Sequence, residues 1–253
     1  MPELLNNTWF NNPWLSAIAL NTVLIAIAWI LPKKLLTPWG YLNAWVLGVI
    51  VWGTLSWQGY TVVMFYFLVG SGVTKIGIAE KEAAGIAEKR SGVRGPENVW
   101  GSALTATVCA LATLIVPPTF KSLLVLGYVA SFATKLSDTA ASEVGKAYGK
   151  STFLITTLKP VPRGTEGAIS LEGTVAGIIA SIAIALVAYF VGQIELLGIG
   201  WCIAAAFIAT NFESLIGATL QENTPWLTNE IVNFINTTIG AIAAILLALG
   251  FGL

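Results

Sequence analysis

YVASFATKLSDTAASEVGKAYGKSTFLITTLKPVPRGTEG, residues Tyr128 to Gly167, begins inside apolar sequence, turns polar while keeping helical spacing, and ends in a basic, glycine-punctuated turn. With Val125 to Tyr148 helical, Ser131, Lys135, Asp138, Ser142 and Lys146 recur at spacings of three and four and project from one stripe. Ionisable groups at membrane depth are costly unless they pair or line a wet cavity, so the stripe marks a functional site. Asp138 and Glu143 offer the hard oxygen ligands that Mg²⁺ prefers, and Lys135, Lys146, Lys150, Lys159 and Arg163 offer cations for phosphates. A competing reading is an amphipathic helix end whose lysines snorkel to headgroups. The glycines and the mixture of acids with bases exceed what snorkelling needs.

Outward from this stretch, the composition is that of a polytopic membrane protein: 56% of the 253 residues are hydrophobic and 10% charged, with a mean hydropathy of +0.78. Cys109 and Cys202 both sit in apolar runs, which suggests neither a disulfide framework nor a thiolate metal site. Histidine is absent, removing Ser-His and Cys-His nucleophiles and most zinc sites. Chemistry must therefore run on carboxylates, lysines, hydroxyls and a hard metal. The 13 basic residues balance the 13 acidic ones, so net charge gives no sign of a nucleic-acid partner.

The N-terminal MPELLNNTWFNNPW has no lysine or arginine and reads as neither secretory signal nor transit peptide, which makes a bacterial origin the simpler expectation. Apolar runs follow at Leu15 to Leu31, Tyr41 to Trp57, Tyr60 to about Val73, Val99 to Val116, Leu123 into the polar stripe, Ala168 to Val191, Leu196 to Thr210 and Ile231 to Leu253. Each approaches the crossing length of about 20 residues, giving an all-α fold of about eight transmembrane helices in a single domain. Between the third and fourth runs GIAEK occurs twice, at Gly77 to Lys81 and Gly85 to Lys89, an offset that returns to nearly the same helix face and predicts a short amphipathic cytosolic helix. Its Lys81, Lys89 and Arg90 read as a solvated face toward anionic headgroups. Trp9, Trp14, Trp39, Trp57 and Trp226 lie near span ends and read as interface anchors.

Positive charge decides the topology. Lys33 and Lys34, the cluster from Lys75 to Arg94, and Lys135 to Arg163 follow the first, third and fifth runs, whereas the alternate loops hold only Lys121. Polar loops thus open on the cytosolic face, with both termini opposite, and three motif-rich segments converge on one site. After Gly164-Thr165-Glu166-Gly167, the residues Glu166, Ser170, Gly173, Gly177 and Ser181 form a small and polar stripe that faces protein rather than lipid.

Three segments, DTAASEVGK (Asp138 to Lys146), RGTEGAISLEGT (Arg163 to Thr174) and NFESLIG (Asn211 to Gly217), together with RGPENV from Arg94 to Val99, resemble the integral membrane family catalogued as domain of unknown function 92. Its plant and cyanobacterial members include phytyl-phosphate kinase. The resemblance covers a core of residues 60–253, preceded by N-terminal spans in 1–59. The run Asp138, Gly145, Gly149-Lys150, Lys159-Pro160, Arg163 and Glu166-Gly167 is also similar to a diverged form of the signature of CTP-using membrane transferases, including phosphatidate cytidylyltransferases and polyprenol kinases. Arg163-Gly164 stands where those enzymes carry Lys-Thr, and the second aspartate of the cytidylyltransferases is missing.

What the resemblance implies is phosphoryl transfer from CTP or another nucleoside triphosphate to phytyl, geranylgeranyl or farnesyl phosphate, feeding tocopherol or phylloquinone synthesis in a cyanobacterial membrane. Such transfer needs in-line positioning, Mg²⁺ and cations against developing charge. On this reading Asp138, Lys135, Lys146 and Arg163 are catalytic. Asp138, Glu143 and Glu166 bind Mg²⁺, and Lys150, Lys159, Gly164, Thr165, Gly167, Arg94 and Asn211 hold nucleotide or phosphate. The Gly164 to Gly167 turn opens the sixth span and presents a helix N-terminus to anions. Glu172, Glu97, Asn98, Glu213 and Gln221 are further candidates, with interhelical hydrogen bonding the competing role for Asn211, Glu213 and Gln221. The isoprenyl tail needs only a lipid-open groove beside the sixth span. The alternatives are a lipid cytidylyltransferase, which releases pyrophosphate, and an ion-coupled transporter, which would place charges near midplane in paired broken helices. The partners implied are the lipid phosphate, the nucleotide and bilayer lipids; a homodimer is left open.

Overall fold

Four of the helices start with proline in the first turn, two of them behind a capping side chain. The computed structural model describes residues 12–221 and 224–252, so Trp9 lies outside the described residues. In α1 (Pro13–Ile30) the Asn12 side chain accepts from the N–H groups of Trp14 and Leu15, and in α2 (Pro38–Thr74) the Thr37 hydroxyl accepts from Gly40. A short α3 (Ile78–Ala83) follows, then α4 (Pro96–Ala112) and α5 (Pro118–Tyr148), both with proline in the first turn. Beyond them come β1 (Thr152–Leu154), β2 (Ala168–Ser170), α6 (Leu171–Phe190), α7 (Leu196–Ile216) and α8 (Asn229–Phe251). Among the described residues five helices are long and apolar enough to cross a membrane: α1, α2, α6, α7 with its π-helical extension to Gln221, and α8. Their exposed flanks carry Ile18, Val23, Ile27, Ile179, Leu186, Phe207, Leu246 and Leu249, as lipid contact requires.

Two sequence runs, Tyr41 to Trp57 and Tyr60 to about Val73, are joined within α2. Ser56 has φ 57° and ψ −162°, and there the chain doubles back. Trp52 and Tyr60 meet with ring centroids 5.3 Å apart. A Cβ on Gly40 would lie 2.6 Å from the Arg94 carbonyl oxygen and one on Gly70 3.0 Å from the same residue's Nη2, so the outer ends of both halves reach one level. Bonds from Tyr128 Oη to the Gly59 carbonyl (2.7 Å) and from Tyr60 Oη to Asn21 Oδ1 (2.9 Å) brace the turn.

At the centre stands α5, packed against α2, α4, α6, α7 and α8. Every residue from Leu126 to Ala140 is buried, the polar ones included. Close approach on one side comes from Gly173 and Gly177, whose added Cβ atoms would lie 2.5 Å from the Ala141 carbonyl oxygen and 2.9 Å from Ser137 Oγ. The small stripe of the sixth run therefore faces α5.

Three local expectations are corrected. The fold is mostly helical but not all-α: β1 and β2 pair antiparallel, Thr152 opposite Ser170 and Leu154 opposite Ala168. This hairpin delays the helix, so α6 starts at Leu171 with the Ser170 hydroxyl accepting from Gly173, and Gly164 to Gly167 forms a turn ahead of β2 rather than a helix N-terminus. The doubled GIAEK does not make one amphipathic helix. Gly85 takes φ 70°, ending the helical segment after a single turn or so, and the second copy continues into a 3₁₀ turn.

Ser56 occupies a backbone region that is nearly glycine's alone, at a cost of about 1–3 kcal/mol. Ser56→Gly should raise the midpoint of thermal unfolding in detergent, read by tryptophan fluorescence, and Ser56→Val should lower it.

Candidate functional site

A cavity of about 610 Å³ opens at the end of the bundle where the polar stripe of α5 emerges. Its wall is built from α5, the 84–95 loop, the 164–170 segment, the inner faces of α6 and α7, and the first turn of α8. Contacts between these loops close the assembly. Gly164, at φ 85°, packs on Ile86, and Gly167, at φ 73°, packs on Ser214 and Ala218 so tightly that a Cβ would lie 2.5 Å from the Ser214 carbonyl oxygen. Only a residue without Cβ fits either place.

Lys135, Asp138, Ser142 and Lys146 line this cavity; Ser131, the fifth member of the stripe, is instead buried and donates to the Tyr128 carbonyl. Lys135 Nζ donates to Asp138 Oδ2 at 2.6 Å and to Asn233 Oδ1 on α8 at 2.7 Å. A helix turn and a second helix thus hold one ammonium between a charged and a neutral oxygen. Asn233 is absent from the sequence candidates, although Asn233, Asn236 and Thr237 repeat at three and four within an apolar run, the same signal that marks α5.

Lys81 is the largest departure. Expected on a solvated face, it is buried at 1% exposure, pairs with Glu143 and donates to the Thr74 carbonyl at 2.9 Å. Glu143, expected on Mg²⁺, is therefore the counterion that allows Lys81 inside, and its other oxygen lies 3.6 Å from Lys146 Nζ. Lys146 also reaches Glu88 at 3.5 Å, tying the 84–95 loop to α5. In that loop Arg90 pairs with Glu97 and donates to Asn98 Oδ1 at 2.9 Å.

Glu166, Glu213, Gln221, Asn211, Asn98, Arg94, Gly164, Thr165 and Gly167 all border the cavity. Arg163, Lys150, Lys159, Glu97 and Glu172 do not. Arg163 donates to the Ala147 carbonyl at 3.0 Å, a cation at the C-terminal end of α5, and the Lys150 N–H donates to Glu172 Oε1 at 3.4 Å. Asn211 donates to the Phe207 carbonyl at 2.8 Å within its own helix.

The proposed metal trio is not brought together. Among the described residues no three of His, Cys, Asp and Glu form a metal-ligand group; Asp138 pairs with Lys135, whereas Glu143 pairs with Lys81. Mg²⁺ bound with phosphates needs only one or two carboxylates, and Asp138, Glu166 and Glu213 border one space. This donor set fits an ion carried in with a nucleotide and does not fit a cage of protein ligands alone.

Comparison with known proteins adds lineage to this geometry. The family model described as integral membrane protein DUF92 matches residues 21–241, reaching back into spans that the sequence reading left outside the core. An uncharacterized membrane protein of Synechocystis sp. is 66% identical over 246 residues, covering 96% of this chain and 95% of its own. The chloroplastic protein VTE6 of Arabidopsis thaliana is 45% identical over 238 residues, covering 92% of this chain and 72% of its own. An uncharacterized membrane protein of Methanocaldococcus jannaschii is 32% identical over 210 residues, covering 82% and 84%. No solved structure matches.

Removing one partner of a buried ion pair strands a charge at a cost of about 3–5 kcal/mol. Lys81→Met alone should destabilise by that order in denaturant unfolding from micelles, and Lys81→Met combined with Glu143→Leu should recover most of the loss.

Proposed function

Because the chain belongs to the DUF92 family of integral membrane proteins, we propose that it is a phosphotransferase that moves the terminal phosphoryl group of a nucleoside triphosphate, CTP in the first instance, onto an isoprenyl monophosphate. Phytyl phosphate is the leading acceptor, in keeping with likeness to a family that includes phytyl-phosphate kinase, and its diphosphate product serves tocopherol or phylloquinone synthesis. We read the fold as eight crossings, counting the two halves of α2 and the helices α4 and α5, with the cavity toward the cytosol.

The observation that carries this reading is the charge composition of one partly open space at the end of the bundle. Glu88, Asp138, Glu143, Glu166, Glu213 and Glu230 line the cavity against Lys89, Arg90, Arg94, Lys135 and Lys146. Acids and bases nearly cancel, so a bare triphosphate would gain little there. A triphosphate with its Mg²⁺ would fit: Asp138 with Glu166 or Glu213 would hold the ion, which would supply positive charge against the phosphates. The protein's own work is positioning: Lys135 stays fixed by Asp138 and Asn233, Lys146 is displaced from Glu88 toward phosphate oxygens, and the Gly164 to Gly167 turn keeps the roof closed against water. An acceptor that is already anionic needs no strong general base, in agreement with a chain that lacks histidine.

The acceptor's tail leaves between α6 and α7. There Ile178 and Phe207 line the cavity, while Phe207 is also 46% exposed on the lipid side. Ile178 lies about 10 Å along α6 from its start, at 1.5 Å per residue, which is acyl-chain depth.

Product analysis tests the assignment: purified protein in nanodiscs, with Mg²⁺, phytyl phosphate and CTP, should yield phytyl diphosphate and CDP. Release of pyrophosphate would instead mark a cytidylyltransferase. Asp138→Asn should lower turnover at least about 100-fold while the protein stays folded. Phe207→Trp should raise KM for phytyl phosphate more than for a short-chain acceptor, with KM for CTP unchanged.

A further inference from the structure

We propose that Arg94 and Tyr66 form a preorganised oxyanion subsite that takes the monophosphate of the lipid acceptor. The assignment to that acceptor rests on the reading given under Proposed function; the oxyanion subsite itself does not.

The cations that border the cavity differ in what already holds them. Lys135 pairs with Asp138, Lys146 with Glu88 and Glu143, and Arg90 with Glu97, whereas among the described residues no carboxylate pairs with Arg94. Lys89 is also without an acid, but it is exposed to solvent, which meets its charge. Arg94 is partly buried and fixed at every joint. Its N–H donates to the Leu35 carbonyl and its carbonyl accepts from Thr37, both at 3.0 Å. Its guanidinium lies 5.3 Å from the ring centre of Tyr66 and 5.9 Å from that of Phe67, and Nη1 donates to Tyr66 Oη at 2.9 Å.

A guanidinium has five N–H donors and no acceptor. One serves Tyr66, and the Tyr66 oxygen, used as acceptor, leaves its own hydrogen without a partner among the described residues. A partly buried cation beside a free hydroxyl donor, with no carboxylate to meet its charge, is a ready seat for an anion. The fork geometry of arginine suits a phosphate oxygen pair. Tyr66 stands about two turns inside the end of α2, toward the bilayer. That depth favours a phosphate arriving on a lipid, with Lys146, Lys89 and Arg90 left for the triphosphate.

The test uses full-length protein in nanodiscs without turnover. Inorganic pyrophosphate and phytyl phosphate are titrated separately, each read by intrinsic tryptophan fluorescence, and CTP binding is measured in parallel. Arg94→Gln should weaken phytyl phosphate and pyrophosphate by about 10-fold or more, Tyr66→Phe by less, and Arg94→Lys by an intermediate amount because charge survives without the fork. CTP affinity should stay within twofold. Normal phytyl phosphate and pyrophosphate binding by Arg94→Gln overturns the subsite, and a loss confined to CTP overturns its assignment to the acceptor. Pyrophosphate binding that depends on Arg94, with no phytyl phosphate binding by the wild type, upholds the subsite and overturns the kinase reading. Unchanged tryptophan emission and melting midpoint of the ligand-free Arg94→Lys protein separate lost binding from misfolding.

Discussion

A charged side chain inside a membrane protein needs an opposite charge or an equivalent set of hydrogen bonds, and this requirement organises the molecule. Lys135 is enclosed with Asp138 and Asn233, and Lys81 with Glu143 and the Thr74 carbonyl. Each cluster spans separate elements: the first joins α5 to α8, the second joins α5 to α3 and to the end of α2. Five helices can surround α5 because its buried charges are paired within that shell, and because Gly173 and Gly177 let α6 come close enough to exclude lipid. The cavity begins where this shell opens, which is why structural and chemical residues are neighbours on one helix face.

That face was legible in the chain itself. Spacings of three and four placed Lys135, Asp138, Ser142 and Lys146 together, and the charge pattern of the loops predicted that Lys75 to Arg94 and Lys135 to Arg163 meet at one end of the bundle, where both contribute to the cavity. The GxxxG-like pair on the sixth run was legible for a similar reason, since a small-residue stripe has few uses other than close packing.

What stayed hidden depends on partners distant in sequence. Lys81 looks like any lysine on an amphipathic helix until Glu143 is known to stand opposite, and nothing local distinguishes a solvated lysine from a paired one. The β1–β2 hairpin holds only three residues per strand, too few for an alternating pattern to register. Arg163, Lys150 and Lys159 group with the phosphate-binding cations by charge and by the signature they resemble, whereas the hairpin turns Arg163 back onto the end of α5. Asn233 is a different case: its spacing with Asn236 and Thr237 is present, but within a run whose length and hydropathy already suit a bilayer span.

The turn at Ser56 makes the two ends of the bundle unequal. Opposite the cavity, the connections between described helices are that tight reversal and the brief stretches 113–117 and 191–195. Between the helices, proteases and antibodies on that side would find little described backbone to grip. The described backbone open to such contacts between helices lies mostly at the cavity end, in the same loops that form its roof.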